Sequence, residues 1–362
     1  MRSRSSGGSR NRAPLRTGLE RFYRERGDLC LCLSGGGFRA AAFHLGVVRW
    51  LYERRLLPHL GEIRSVSGGS VTAAWMYMNR DLLFGDERPT GDEFEAEFAT
   101  PLREFLATDI RTMPIVRTLG RNVAWKRKRC HLVEQEINSL LQTRPPGNER
   151  TPGPEFRLIS FDIHFRELVE LTPKAPQLAR QVVASAAYPP LIGPVELDGR
   201  HLVDGGLASN LGVTGDTLNM WRCVLLSDAG RASPGWTRSR AVPMTLRLMP
   251  LLRDGANRAF RSQIAAANSE TTIVAVVPLA AKEWYPSERE LVGLKPAGFL
   301  ARLRTDLAGF SPARIDELEE RGHQVASMVC GEAIETWSER AGFDALKPGR
   351  PGLSRLLEEW GS

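Results

Sequence analysis

The stretch that most restricts the fold is Leu29-Cys30-Leu31-Cys32-Leu33, followed at once by Ser34-Gly35-Gly36-Gly37. A short unbroken apolar run closed by three glycines suits a buried parallel strand whose following backbone turns several N–H groups around an anion. The pattern from Phe38 to Arg54 then predicts a helix. Ile63 to Val66 reads as a second strand, ending in the turn Ser67-Gly68-Gly69-Ser70 and a helix to Met78. Strand-like runs at Leu158 to Ile163 and Val224 to Leu226 alternate with helical patterns at Gln177 to Ala187 and Met244 to Ala267. This alternation predicts an α/β protein with a mostly parallel sheet covered on both faces. Thr143 to Pro154, rich in Pro and Gly, is a loop by its turn chemistry, and no internal repeat is visible.

In a strand–turn–helix arrangement the turn residue is lifted clear of the sheet, and small neighbours let the backbone bend sharply there. Ser67 takes that place, with Gly68 and Gly69 after it; Ser65 puts a hydroxymethyl group two residues before it, where glycine usually leaves room. The plainer reading makes Ser67 a helix cap. The glycine loop upstream favours a nucleophile, because an acyl-transfer intermediate needs preorganised N–H donors worth roughly 10² to 10³ in rate each. Gly36 and Gly37 are the candidate donors, with Gly35 beside them, and the helix from Phe38 adds its positive end. Arg39 reads as a support of this loop or a contact for a phosphate headgroup, the plainer alternative being a surface arginine paired with a carboxylate. A serine hydroxyl also needs a base. His201-Leu202-Val203 reads as a strand end that delivers Asp204 into the turn Asp204-Gly205-Gly206, although an Asp-Gly pair alone is an ordinary turn. Asn210 reads as a brace for the loop that follows.

Ser34 to Ala40, Ser65-Val66-Ser67-Gly68-Gly69 and Asp204-Gly205-Gly206, in this order, resemble the three signatures of patatin-like phospholipases. The resemblance extends through Ala184 to Pro190, Cys223 to Gly230 and Ala301 to Val329, and so takes in residues 28 to 335. Two positions depart from the pattern. The family often has Asp where Ser34 stands, although Ser34 is similar to the related cytosolic phospholipase A pattern, and it usually has Gly where Ser65 stands. The resemblance implies a three-layer α/β/α patatin-like fold, a Ser67–Asp204 catalytic dyad, and an oxyanion loop of Gly35, Gly36 and Gly37 supported by Arg39. It further implies hydrolysis of fatty-acyl esters, of phospholipase A or lysophospholipase type, on a phospholipid or other acyl lipid, with no metal or cofactor. Such a dyad requires a poorly hydrated cleft in which a carboxylate becomes a better proton acceptor.

Other assignments compete. Ser67, Asp228 and His323 stand in the Ser, Asp, His order of α/β-hydrolases, yet that fold does not need the Ser34 to Ala40 loop, and His323 falls in a polar helical pattern from Pro312 to Val329. His44, between Phe43 and Leu45, reads as a packed, satisfied histidine. A phosphate-binding module would end its glycine loop in Gly-Lys-Ser/Thr, which Gly37-Phe38-Arg39 does not supply. A non-catalytic, membrane-recruited scaffold rests on Ser65 alone.

At 362 residues and 42% hydrophobic content the chain can bury a sizeable core. Its net charge of +7 is uneven: residues 1 to 30 hold eight Arg against Glu20, Glu25 and Asp28, and residues 111 to 129 hold seven basic side chains and no acid, so the remainder is acidic. No zinc-finger or RNP signature accompanies the basic segments, which points to a membrane surface and away from nucleic acid. Met113, Val116, Leu119 and Val123, with Arg121 and Lys126 to Arg129 beside Trp125, predict a basic amphipathic helix over residues 114–129 that meets an anionic membrane; a packed helix with a solvated basic end is the alternative. Five cysteines, an odd number, read as free thiols in a reducing compartment, Cys30 and Cys32 being small core residues. Met1 to Pro14 lacks an apolar signal region, and no apolar run approaches the roughly 18 residues of a membrane span. The expected organisation is a basic disordered tail (1–27), an acyl hydrolase domain (28–340) and a C-terminal extension (341–362). The expected location is cytoplasmic, with peripheral attachment to membranes.

Overall fold

Five consecutive buried residues, Leu29–Leu33, form strand β1 near the centre of an eight-stranded sheet in the computed structural model. The structure describes residues 29–85, 87–110, 124–148, 151, 153–189, 192–213, 215–230, 273–280, 299–300, 303 and 306–341. Strands β2 (Leu60–Val66), β3 (Glu155–Asp162), β4 (Glu167–Leu171), β5 (Val195–Leu197), β6 (Arg200–Asp204), β7 (Cys223–Asp228) and β8 (Ile273–Pro278) complete the sheet in the order β5-β6-β3-β2-β1-β7-β8, with β4 added to β3. The run from β3 to β8 is parallel; β4, β5 and β6 pair antiparallel. Leu29, Leu31 and Leu33 enter the larger core, while Cys30 and Cys32 enter a smaller one with Val224, Leu226, Leu218 and Trp221. Because β1 is buried on both faces, its sequence is uninterrupted by polar residues.

On the larger core pack α1 (Gly37–Glu53), α2 (Gly68–Met78), α3 (Thr100–Ala107), α4 (Ala124–Leu141), α5 (Leu178–Ser185) and the long α7 (Pro312–Ala341). Helix α6 (Gly215–Met220) supplies Leu218 to the other face. Helices α1 and α7 cross at Gly46 and Gly322. A β-carbon at Gly46 would lie 1.9 Å from the Glu319 carbonyl oxygen, and one at Gly322 2.0 Å from that of Phe43. Side chains at those two positions would hold the helices apart.

The strands and helices read around β1, β2, β3, β7 and α5 are present within a few residues of their expected bounds. Strands β4, β5 and β8 and helix α3 escaped the sequence reading, the expected basic helix overlaps α4 only at residues 124–129, and the Met244 to Ala267 helix lies outside the described residues. All five cysteines are free and buried. Burial pushes the Cys30 thiol well above its usual range, the neighbouring Cys32 adding to the effect.

Candidate active site

The register of β3 brings two chain ends together. Leu158 and Ile159 pair with β4 on one edge and with Ser65 and Val66 of β2 on the other. Ser160, Phe161 and Asp162 also pair with β4, but their opposite edge is taken by Asp204, Val203 and Leu202 of β6. Strands β2 and β6 therefore lie end to end along one edge of β3, approaching from opposite directions. The last residue of β2 pairs with Ile159 and the last of β6 with Ser160. Ser67 and Asp204 emerge at this junction, at the carboxyl end of the parallel strands, where open α/β sheets hold their ligands.

Ser67 has φ 52° and ψ −118°, outside the regions that L-residues favour. Its side chain makes no capping hydrogen bond to α2, so the capping role is unfilled. Two glycines let the loops interlock behind it. A β-carbon at Gly68 would sit 2.0 Å from the Gly37 carbonyl oxygen, and one at Gly69 2.4 Å from that of Leu33. A β-carbon at Gly35 would meet Ser67 Cβ at 3.2 Å and Asn210 Oδ1 at 2.8 Å. The glycine loop thus lies against the elbow backbone to backbone.

Ser185, at the end of α5, fixes the elbow. Its hydroxyl donates to the Ile159 carbonyl at 2.6 Å and accepts from the Ser67 backbone N–H at 3.0 Å. Ser70 Oγ lies 2.9 Å from Ser185 Oγ, and Ser65 Oγ 3.1 Å from Ser70 Oγ. The Ser185 proton is committed to a carbonyl oxygen, which only accepts, so Ser70 donates to Ser185, and the single Ser65 proton is shared between Ser70 Oγ and the Arg157 carbonyl, 3.4 Å away. Ser65, the departure from the usual glycine, is accommodated as the first hydroxyl of this chain. The roles of Ser70 and Ser185 escaped the sequence reading; the only signal was a lone Ser in the alanine-rich end of a helix before two prolines.

In the glycine loop, Gly36 (φ 147°) and Gly37 (φ 61°) adopt conformations open to glycine and costly for other residues. Among the described residues, neither N–H meets an acceptor, whereas the Gly35 N–H donates to the Asn210 carbonyl at 3.0 Å. The Asn210 carboxamide oxygen also lies 3.2 Å from where a Gly206 β-carbon would be, between the two loops. Asp204 is 4% exposed, and its Oδ1 accepts from the Gly206 N–H at 2.7 Å.

Three residues brace the loop. Ser34 Oγ accepts from the Ala229 N–H at 2.8 Å. Arg39 is fully buried; its guanidinium donates to the Ala229 carbonyl and, at 3.3 Å, to that of Leu303. His44 bonds the Ser34 carbonyl through Nε2 at 2.9 Å and Ser227 Oγ through Nδ1 at 2.7 Å. Because a carbonyl only accepts, Nε2 carries the proton and Nδ1 accepts from Ser227. Burial lowers the His44 pKa to about 4, the Ser34 bond opposing. His44 is the packed histidine that its apolar neighbours announced.

The Ser67–Asp228–His323 triad is not assembled. His323 lies on α7, 2.8 Å from Glu53 at the C-terminal end of α1, while the glycine loop opens the N-terminal end of that helix. Sixteen helical rises of about 1.5 Å separate Gly37 from Glu53, about 24 Å. Asp228 caps its own turn, accepting from the Gly230 N–H at 2.8 Å. The segment 114–129 falls mostly outside the described residues, and from Ala124 the chain is helical through Leu141.

Comparison with known proteins agrees with this architecture. A family model described as patatin-like phospholipase matches residues 31–215. No curated protein sequence matches at a significant level. Among solved structures, human GIVD cytosolic phospholipase A2 is similar at 12% identity and a TM-score of 0.52, the match covering 90% of this chain and 62% of that one. VipD from Legionella pneumophila is similar at 14% identity and a TM-score of 0.36, with 84% and 66% covered. The chain therefore spans less than two thirds of the length of either protein, and the likeness at 12% identity shows the fold alone. The matched region contains β2 with its elbow, the glycine loop and the Asp204 turn, and because it takes in just over half of the sequence, the chain belongs to the patatin-like phospholipase family.

Proposed function

We propose that this protein is a lipid acyl hydrolase of phospholipase A or lysophospholipase type, a serine carboxylic-ester hydrolase acting through a Ser67–Asp204 dyad. The observation that carries the reading is the end-to-end meeting of β2 and β6 on one edge of β3, which brings a strained serine and a buried carboxylate to one junction. Ser67 Oγ attacks the acyl carbonyl carbon while its proton passes to Asp204. The oxyanion forms against the Gly36 and Gly37 N–H groups, with Gly35 holding the loop to Asn210 and Arg39 holding it to Ala229. Collapse breaks the ester bond, and Asp204 returns the proton to the departing alcohol. Water then attacks the acyl-serine, Asp204 takes its proton, and the fatty acid leaves as Ser67 regains its hydrogen. Burial of both residues supplies the poor hydration that makes a carboxylate an effective base.

The substrate on this reading is a phospholipid or another acyl lipid, and the basic segment 114–129 is a contact for an anionic membrane surface. Among the described residues no helix is long and apolar enough to cross a membrane. The test is incubation with phospholipid vesicles and mass-spectrometric detection of products. Fatty acid and lysolipid released by the wild type and not by Ser67→Ala support the proposal. Release of a phosphorylated headgroup, or equal release by both proteins, refutes it.

A further inference from the structure

Four large apolar side chains are exposed among the described residues, and two of them, Ile163 (46%) and Phe165 (62%), sit together at the tip of the β3–β4 hairpin. The register fixes where that tip lies. Ser160 pairs with Asp204, level with the junction from which Ser67 emerges, and β3 continues past it through Asp162. Ile163 stands three residues beyond Ser160, about 10 Å farther along the strand direction. The tip projects past the active-site end of the sheet.

The tip is a built turn. The carboxylate of Asp162, itself fully buried, accepts from the His164 N–H at 2.8 Å and the Phe165 N–H at 3.2 Å. Arg166 N–H closes back on the Asp162 carbonyl at 2.8 Å, and the Ile163 N–H donates to the His201 carbonyl of β6 at 3.1 Å. Arg200 places its guanidinium 5.6 Å from the centre of the Phe165 ring. These contacts fix the backbone under two apolar side chains that remain in water, so their exposure has no origin in a loose loop.

We infer that the Ile163–Phe165 tip is a wedge that inserts into a lipid surface and sets the active-site end of the sheet against it. Two features favour lipid over a protein. The tip offers on the order of 200 Å² of apolar area, against about 800 Å² per partner in a stable protein interface. Its charges are also nearly balanced, since Arg200 pairs with Glu167 at 2.7 Å and with Asp162 at 3.5 Å. A wedge of this kind enters the apolar part of a zwitterionic bilayer and needs no anionic lipid, unlike the basic segment 114–129. The orientation it gives matters only if Ser67 hydrolyses lipid, and to that extent the inference rests on the proposed function.

Binding is measured by sedimentation of the full chain carrying Ser67→Ala with phosphatidylcholine vesicles at 0.1 and 0.5 M salt. Phe165→Ser and Ile163→Ser should each weaken partitioning at least tenfold at both salt concentrations. Phe165→Leu, which restores apolar area, should recover most of it. In the chain with Ser67 intact, Phe165→Ser should leave turnover of a short-chain, water-soluble ester unchanged. Unaltered partitioning in the serine variants overturns the inference, as does binding that falls away at high salt, which would assign attachment to the basic segment. Failure of Phe165→Leu to restore binding, or self-association abolished by Phe165→Ser, also overturns it. Vesicle binding that follows the wedge while no ester is hydrolysed would refute the proposed function and leave the wedge standing.

Discussion

Replacing Ser67 by glycine should make the protein more stable than replacing it by alanine, although both changes abolish catalysis. At φ 52° and ψ −118° a residue with a β-carbon is held in a conformation costing on the order of 1–3 kcal/mol. Alanine keeps the β-carbon and therefore keeps the strain. Glycine removes it, at a cost of about 0.5–1 kcal/mol for the extra freedom of its unfolded chain. The Ser67 N–H bond to Ser185 Oγ survives in both variants. The balance favours glycine by about 1 kcal/mol, or about 2 °C in Tm for a domain of this size. Urea titration and calorimetry on the wild type and both variants would measure it, with alanine expected close to the wild type. If glycine proves no more stable than alanine, the elbow stores no strain and the argument from its backbone fails.

Asp204→Asn preserves shape and the Gly206 contact while removing the proton acceptor, so turnover should fall at least a thousandfold with little change in Tm; His323→Ala should retain most activity, and the reverse pattern in an ester-hydrolysis assay would restore the triad. Ser185→Ala leaves the Ser67 N–H and the Ser70 hydroxyl without their acceptor and should cost about 1–3 kcal/mol. It should also lower kcat more than it changes KM, and unchanged kinetics would show that the hydroxyl chain is not needed to hold the elbow. His44 is neutral when folded, with a pKa of about 4 against 6.5 for the free side chain. Below pH 6.5 the unfolded chain binds the extra proton, so this stability is full above pH 6.5 and is lost as pH falls towards 4, by about 3 kcal/mol. His44→Gln should flatten the dependence of Tm on pH in that window, and an unaltered slope would contradict the assignment.

Much of the site was legible because glycine and short apolar runs carry geometric meaning. Gly36 and Gly37 occupy positive φ, and Gly68 and Gly69 allow backbones to touch, so a sequence that places them after strands announces where those strands end. Asp204 was legible by its turn and by resemblance, but the way it reaches Ser67 was not: the sharing of one β3 edge by β2 and β6 is a long-range pairing with no local signature. Strand β8, Ile-Val-Ala-Val-Val-Pro, carries a plain β-branched apolar run that the sequence reading passed over, whereas β4 offers a weaker pattern. The pattern of β4, Glu-Leu-Val-Glu-Leu, is mostly exposed or half-exposed, and its apolar residues do not alternate as a half-buried strand requires, although Pro173 and Pro176 mark its end. Ser185 looks like any small helix residue until its partners are known. Arg39 was legible as a support of the loop, but its depth was not: it is wholly buried and bonded to the backbone carbonyls of Ala229 and Leu303, partners far away in sequence.

The central claim, that Ser67 is a nucleophile served by Asp204, is tested most directly by a fluorophosphonate probe with mass mapping of the labelled peptide. The account predicts one adduct, on Ser67, formed rapidly by the wild type, absent from Ser67→Ala and formed at least a hundredfold more slowly by Asp204→Asn, whereas Asp228→Asn labels at the wild-type rate. An adduct on another serine, or labelling of Asp204→Asn as fast as the wild type, would contradict it.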